Sequence, residues 1–435
     1  MTITSPPPPT DSVPASPEEP TPPGRGLTLS KPMTWMLFAG LGVLLIAITE
    51  EIASPTTSEL ASSGTWSTAL GYSVPILMAG LGGVWAERSG TINIGLEGML
   101  VIGTWCGAYG ALEFGPWWGA VLGAFGGAVF GLIHGVATVG FGVNHIISGV
   151  AINLMAPGVT RFLAGEIFSD YDGGSISQSP SVDAARRIDI PLLSGGLDGP
   201  DILGRIESWD WFFVSTAAGI ARGFTANLSL LTIVAFALVP LTVFILWRTA
   251  FGLRLRSAGE HPIAADSLGV NVYKYKYYSC VISGALAGFG GAYLVTELTG
   301  IYKENQVNGR GFIGLATMIF GNWRPVGTML GGVLFGFTDV LQLRDRPAQH
   351  ALLLVLCLGL AAGMLWMLWR RRHRPAMMLA VASVGFLIWY LSTDSVPKQL
   401  APVIPNIAVL VVLVFYAKRL RMPAANGLEY RKGDQ

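Results

Sequence analysis

Asn93 and Glu97 lie in the stretch Glu87-Arg-Ser-Gly-Thr-Ile-Asn-Ile-Gly-Leu-Glu-Gly-Met99, which interrupts two apolar runs without a long loop. Gly90, Gly95 and Gly98 loosen any helix there. An ionisable group at or below a membrane surface is costly, and is a functional candidate by default. Glu87 and Arg88 are placed to pair at the inner boundary, whereas Glu97 has no local partner. Two roles stand open for this break: it caps broken helix ends, or it lines a solute path. A second polar stretch, 142–153, sets Asn144 and Ser148, and then Gly149 and Asn153, four residues apart on one side of an apolar helix. Asn offers both donor and acceptor, as recognition of a neutral polar solute requires; glue between helices uses the same chemistry. His145, near the start of this helix, reads as structural. A third stretch runs from Asn308 to Pro325 and is bracketed by Arg310 and Arg324. Asn322-Trp-Arg-Pro325 should end it sharply, because the residue before proline avoids the helical region. Trp323 is either a pathway residue or an interfacial anchor.

Other chemistries are absent from the sequence. No lysine follows a glycine, so no phosphate-gripping GxxxxGK[ST] loop exists, and any energy from ATP must come from another chain. There is no GxSxG and no HExxH, and the five histidines form no metal-binding spacing. Cys106, Cys280 and Cys357 each lie in an apolar run and read as small buried hydrophobes. The expectation is a chain that is not an enzyme and that holds no cofactor or metal of its own.

The elements that must position these residues are membrane spans. The 435 residues are 51% hydrophobic and 13% charged, with a mean hydropathy of +0.52; a soluble domain carries about 25% charged residues. Net charge is +1, so no bulk attraction to nucleic acid follows. Candidate spans fall at 33–50, 66–86, 95–113, 117–140, 146–165, 227–247, 277–296, 311–321, 325–343, 350–369, 376–392 and 402–417. The run 311–321 is too short to cross alone, since a crossing takes ~20 residues, and reads as a half-helix or a buried broken element. The fold expected is an all-α polytopic membrane protein with about 10–12 transmembrane helices, some short or broken.

Charge sets the orientation. Arg248, Arg254, Arg256, Lys274 and Lys276 make 248–276 a basic island between two apolar spans, which places it on the cytoplasmic side. If 311–321 and 325–343 form two passes, Arg370, Arg371, Arg372 and Arg374 also face inward, as do Lys418, Arg419 and Arg421. Both termini are then cytoplasmic. The expected organisation is a disordered Pro-rich tail (1–32), a transmembrane core (33–345) with an extracytoplasmic loop (166–226), an extra hairpin (346–400), and a last span with its tail (401–435). Gly119, Gly123, Gly127, Gly131 and Gly135 recur every four residues, and Gly284/Gly288 and Gly327/Gly331 repeat the spacing. Such stripes let helices approach closely in a membrane.

These stretches together resemble the permease subunit of bacterial ABC importers for nucleosides and simple sugars. The resemblance covers about residues 66–345 and the tail Pro423-Ala-Ala-Asn-Gly-Leu-Glu-Tyr430. It rests on Glu87-Arg-Ser-Gly-x-Ile-Asn-Ile-Gly-x-Glu-Gly-Met99, Asn144-x-x-x-Ser-Gly-x-x-x-Asn153, Arg256-x-x-Gly-Glu-x-Pro-x-Ala-Ala-x-x-x-Gly269 and Gly309-Arg-Gly-Phe-x-x-Leu-Ala-x-x-Ile-Phe-Gly-Asn-Trp-x-Pro325, in that order. It implies an ABC importer permease fold in the bacterial inner membrane. It also implies a second permease, usually giving a heterodimer, a cytoplasmic ABC ATPase that holds ATP and Mg, and an extracytoplasmic substrate-binding lipoprotein. In this family the loop after the central span carries a coupling helix, which maps to Glu260 through Gly269, with Ala264 and Ala265 in the EAA-like pattern. Ile263 stands where that pattern has Glu. The hairpin around Arg370 to Arg374 also departs from the family, whose members pass to the last span more directly. The solute pathway candidates are Asn93, Glu97, Asn144, Ser148, Asn153 and Trp323. The solute expected is a nucleoside, with a ribose-like sugar as the nearest rival; branched-chain amino acid import and a stand-alone secondary transporter or channel are weaker.

Overall fold

A computed structural model describes residues 31–53, 60–196, 199–209, 211–341, 346–393, 397 and 420–431. Of the expected Pro-rich tail (1–32), residues 1–30 lie outside the described residues, as does the expected span 402–417, while Lys31 and Pro32 already begin a helix. The chain divides into two units, Met1–Gly42 and Val43–Gln435. In the first, residues 31–42 are helical; the second holds all the other elements.

The regular structure of the described residues is almost wholly helical. In chain order the helices are α1 (Lys31–Ala53), α2 (Ser63–Arg88), α3 (Leu96–Phe114), α4 (Pro116–Gly135), α5 (His145–Ile167), α6 (Ile202–Glu207), α7 (Val214–Gly223), α8 (Leu230–Arg248), α9 (Ala250–Glu260) and α10 (Pro262–Ser267). They continue with α11 (Val272–Tyr293), α12 (Arg310–Phe320), α13 (Pro325–Leu341), α14 (Arg346–Trp369) and α15 (His373–Ser392). The sheet content is one two-residue antiparallel pair, β1 (Arg187–Ile188) with β2 (Leu228–Ser229), in which Arg187 faces Ser229 and Ile188 faces Leu228. Among the described residues, seven helices are long and apolar enough to cross a membrane, and three shorter apolar ones accompany them. The chain is therefore an all-α, multi-pass membrane protein.

α2 and α11 form the centre. A helix apolar on all sides must be buried on all sides, and 89% of the α2 apolar window and 83% of that of α11 are enclosed. α4, α5 and α8 stand at the rim. α14 and α15 form a peripheral antiparallel hairpin, tied by His350 Nε2 to the Tyr390 carbonyl at 3.1 Å and by the Ser383 hydroxyl donating to the Cys357 carbonyl at 2.9 Å.

The glycine stripe is a packing device. A Cβ on Gly127 would sit 2.8 Å from the Gly288 nitrogen, and one on Gly123 would sit 3.0 Å from the carbonyl oxygens of both Gly103 and Gly288. Backbones of α3, α4 and α11 thus touch with no side chain between them, which is the van der Waals contact that holds helices together where no hydrophobic drive exists.

α12 has 11 residues and so spans about 16 Å, roughly half of the ~30 Å apolar slab. Its start follows Gly309, in the left-handed region at φ 80°. Its end is a turn in which Asn322 and Trp323 both have positive φ, at 55° and 52°. The chain then re-enters at Pro325 and runs back as α13. Gly327 faces Gly321, and Gly331 faces Thr317, which lets α12 and α13 lie close.

Candidate functional site

Residues 89–95 join α2 to α3 without forming a helix. A non-helical backbone at membrane depth must have every polar group satisfied by its surroundings, and here side chains from three other helices do it. The Ile92 N–H donates to His145 Nδ1 at 3.2 Å, and the Ile92 carbonyl accepts from His134 Nε2 at 2.9 Å. His134 Nδ1 shares a hydrogen bond with the Ser148 hydroxyl at 3.0 Å. Because a carbonyl only accepts, His134 carries a proton on Nε2, and His145 Nδ1, which accepts an N–H, carries none. The Ile94 carbonyl accepts from Asn153 Nδ2 at 3.0 Å, while Asn153 Oδ1 accepts from the Gly98 N–H at 2.8 Å, in the first turn of α3. Asn93 is fully buried; its Oδ1 accepts from the Gly95 N–H at 3.0 Å, and its Nδ2 donates to Ser283 on α11 at 2.9 Å. The Gly90 carbonyl accepts from Lys276 Nζ at 3.3 Å. Gly149 and Gly98 let α5 reach this segment, since a Cβ on Gly149 would lie 2.8 Å from the Gly95 nitrogen.

Glu97 supplies the partner that the sequence did not show. Its Oε1 accepts from the Gly309 N–H at 2.8 Å and its Oε2 from the Gly311 N–H at 2.6 Å. It therefore caps the N-terminus of α12 from the first turn of α3. The first amides of a helix have no partner within it, and a carboxylate there also meets the positive end of the helix dipole. The N-termini of α3 and α12 meet at this side chain, so two broken helices are joined inside the bundle by one ionisable group.

Of the predicted pathway residues, Asn93, Glu97, Ser148 and Asn153 come together around this break. Asn144 does not: it is the exposed N-cap of α5, and its Oδ1 accepts from Ile146 N–H at 2.9 Å. Trp323 is buried at the far end of α12, where its Nε1 donates to Glu87 at 2.6 Å. Asn426 of the C-terminal tail donates to the same Glu87 oxygen at 2.7 Å. Arg88 donates from Nε to the Trp323 carbonyl at 2.9 Å and stands 3.9 Å from Glu260. The predicted Glu87–Arg88 pair is thus replaced by a wider cluster.

That cluster meets the basic island. α9 and α10 occupy it, and α9 ends against the α2–α3 connection: a Cβ on Gly259 would lie 2.8 Å from the Gly90 nitrogen. The tail straps both sides of this contact. The Ala425 N–H donates to the Gly259 carbonyl at 2.9 Å, the Ala424 N–H to Glu260 at 3.1 Å, and the Gly427 N–H to the Gly90 carbonyl at 3.1 Å. Arg421 N–H donates to Asn322 Oδ1 at 2.7 Å. Beyond the strap, the Tyr430 ring lies tilted against Tyr273, centroids 5.4 Å apart, and burial together with Asp266 pushes its phenol up to about 12. Ala264 and Gly269 are exposed, as are Ile263 (54%) and Leu268 (85%), while Ala265 is only 3% exposed and packs against Ala258, Val272 and Tyr430. Ala265 thus sits under the outer face of the loop, where Ile263 and Leu268 are the large exposed apolar groups around α10 and Leu253 is another on α9.

At the opposite end of α2, near Ser63, a polar cavity of about 530 Å³ opens between α2, α8, α11 and the segment 187–189. Its lining includes Tyr72, Arg187, Thr232, Tyr293 and Glu297; none of the six predicted pathway residues lines it. Tyr293 and Thr232 share a hydroxyl hydrogen bond at 2.7 Å. Arg310 lies over Tyr72, 5.7 Å from the ring centre, and pairs with Asp339 at 2.7 Å. Glu297 sits on a π-helical turn that extends α11, Leu294–Thr299, a geometry often found at functional sites. Sequence reasoning passed over Glu297, although a lone carboxylate just beyond an apolar span is the same kind of signal that singled out Glu97. No cluster of three His, Cys, Asp or Glu placed to hold a metal exists among the described residues.

A family model described as the branched-chain amino acid transport system permease component matches residues 66–358. The nucleoside ABC transporter permease protein NupC of Lactococcus lactis is 39% identical over 279 residues, covering 62% of this chain and 79% of that protein. The guanosine ABC transporter permease protein NupQ of Bacillus subtilis is 36% identical over the same shares. The putative glucose ABC transporter permease protein TsgC13 of Haloferax volcanii is 32% identical, covering 64% of this chain and 76% of that protein. No solved structure matches.

Proposed function

The chain belongs to the family of branched-chain amino acid type transport-system permease components, and from that membership we propose that it is the membrane-spanning subunit of an ATP-binding-cassette importer that carries nucleosides. A permease component is not itself an enzyme, and the driving hydrolysis belongs to a separate ATPase subunit with its ATP and Mg. The observation that carries the reading is the matched region itself. It holds the α2–α3 break, the α12 half-helix that Glu97 caps and the α9–α10 loop, the parts a permease needs to form a pathway and to be driven. Broken helices at membrane depth are where transporters build their pathways. A nucleoside is favoured over a sugar because the relatives named for nucleosides or guanosine stand at 39% and 36% identity, against 32% for the one named for glucose.

The ATPase docks on the outer face of α9–α10, led by Ile263, Ala264, Leu268 and Gly269, with Glu260 at its edge and Ala265 supporting it from beneath. Pressure there passes through the Gly259–Gly90 contact into the α2–α3 connection, where Asn93, Glu97, Ser148 and Asn153 hold the broken helices. A second permease, giving a heterodimer, and an extracytoplasmic binding lipoprotein complete the machine. The basic island, and with it both termini, is cytoplasmic, which sets the Ser63 end of α2 and its cavity on the outer side.

The test is reconstitution of the chain with its second permease, ATPase and binding protein in proteoliposomes. ATP-dependent uptake of uridine or guanosine is expected. The double variant Ile263→Asp, Leu268→Asp should remain folded, by size-exclusion profile, yet lose uptake and transport-stimulated ATP hydrolysis. Uptake in the absence of ATPase would refute the ABC reading, and unchanged uptake in the double variant would refute the docking face.

A further inference from the structure

Glu297 is the least explained charge in the bundle. Its side chain is 1% exposed. Oε1 accepts from the Ala185 N–H at 2.9 Å. Oε2 is buried without a hydrogen bond of ordinary geometry; the Arg187 guanidinium stands 3.9 Å from it, and the Ser229 hydroxyl of the cavity wall faces the same carboxylate. Arg187 is turned partly to the backbone, donating to the Glu297 carbonyl at 3.3 Å. A buried carboxylate costs several kcal/mol in desolvation unless its lone pairs are met, and this one keeps an oxygen open at the wall of a cavity.

The cavity matches that oxygen. At about 530 Å³ it falls within the roughly 300–1,000 Å³ range of small-molecule sites. Its walls set hydroxyls (Thr232, Tyr293) and an aromatic ring (Tyr72) among two carboxylates (Asp189, Glu297) and two guanidiniums (Arg187, Arg222). A carboxylate accepts but does not donate, so it selects a ligand that brings hydroxyl or N–H donors. The two guanidiniums balance the two carboxylates, so a neutral solute that brings hydroxyl donors and an unsaturated ring fits this wall better than an ion of either sign.

We propose that this cavity is the outer binding site for the translocated solute, and that Glu297 Oε2 accepts a hydrogen bond from the sugar hydroxyls of a nucleoside. The proposal rests on the nucleoside-import reading and deepens it by naming the solute's sugar hydroxyls as the recognised group. Arg187 stands beside the carboxylate and helps to aim it, and Tyr72, braced by Arg310, offers its ring to the base. The broken-helix residues then act further in, as joints of the bundle and not as the first contact.

The experiment compares uptake of a ribonucleoside with that of its 2′,3′-dideoxy analogue by the complete reconstituted transporter, in wild type and in Glu297→Gln. Gln keeps an acceptor for the Ala185 N–H but lacks the charge. Hydrogen bonds to charged groups contribute about 1.5–3 kcal/mol, so the ribo-to-dideoxy uptake ratio should fall about 10- to 100-fold in the variant. The binding protein is the same in both preparations, so its own selectivity cancels. A second readout covers the case in which Glu297→Gln fails to fold. In an otherwise wild-type chain carrying Thr68→Cys on the cavity wall, the ribonucleoside should slow modification by a water-soluble thiol reagent, and the dideoxy analogue should not. An equal fall in uptake of both solutes, or equal protection by both, would overturn the proposal while leaving nucleoside import standing. No uptake of either solute by wild type would overturn the import reading and this proposal with it.

Discussion

Asn153→Ala removes two of the bonds by which α5 holds the break between α2 and α3, leaving the Ile92–His145 bond in place. The Gly98 N–H, buried in the first turn of α3, loses its 2.8 Å acceptor, and the Ile94 carbonyl loses its 3.0 Å donor. Leaving a buried donor unpaired costs about 1–3 kcal/mol, and a carbonyl somewhat less, because under-satisfied carbonyls are better tolerated. The local cost is therefore about 2–4 kcal/mol. Residues 91–95 have no helix of their own to fall back on, so the loss appears as easier opening of the segment. At about 1.4 kcal/mol per tenfold, hydrogen exchange of the 89–98 peptide should accelerate by roughly 30- to 1,000-fold. Exchange mass spectrometry of the protein in nanodiscs reads this directly. Asn144→Ala is the control: it removes an exposed cap, costs about 1 kcal/mol, and should loosen only the first turn of α5. Exchange at 89–98 within threefold of wild type in Asn153→Ala, with the protein folded, would refute the reasoning that side chains hold this backbone in place.

Other substitutions separate the remaining contacts. Gly127→Ala places a Cβ 2.7 Å from the Gly288 Cα, so the α4–α11 contact must open; a cost of about 1–3 kcal/mol should lower Tm, while Gly158→Ala, with nothing within 4 Å, should be neutral or gain up to ~1 kcal/mol from helix propensity. Glu97→Leu should destabilise by about 2–4 kcal/mol, because the Gly309 and Gly311 amides both lose their acceptor, whereas Glu97→Gln keeps one acceptor and sets an NH2 against the other N–H, so it should lose one hydrogen bond, about 1–2 kcal/mol; thermal melts in one detergent distinguish them. Truncation after Arg421 removes the strap across Gly90, Gly259, Glu260 and Glu87. The truncated chain should still form the bundle but should spend more ATP per solute imported, which parallel uptake and phosphate-release assays measure.

Much of this protein was legible in its sequence. Helix existence follows from local composition: runs of apolar residues at membrane length have one stable backbone state in lipid. The stripe from Gly119 to Gly135 reads as a contact face before any partner is known, because the absence of side chains every four residues is itself the shape of the surface. The shortness of 311–321 marks a half-helix for the same reason, since length is a one-dimensional property. The polar residues were found too, but their duties were not. Asn144 and Asn153 look alike in the sequence, yet one caps its own helix at the surface and the other reaches a separate backbone. Glu97 lacks a partner within its own stretch because its partners, Gly309 and Gly311, lie 212 and 214 residues away. Ala264 and Ala265 are neighbours in a matching motif, and only the packing of α10 against α9 and α11 turns one outward and buries the other. The sequence by itself determined where long apolar helices form and where their polar groups fall, since burial in lipid depends on each segment's own composition. The tertiary structure alone decided which polar groups satisfy one another and which, like Glu297, keep an oxygen open towards a cavity, because hydrogen bonds depend on atoms a few ångströms apart and residue order does not determine that proximity.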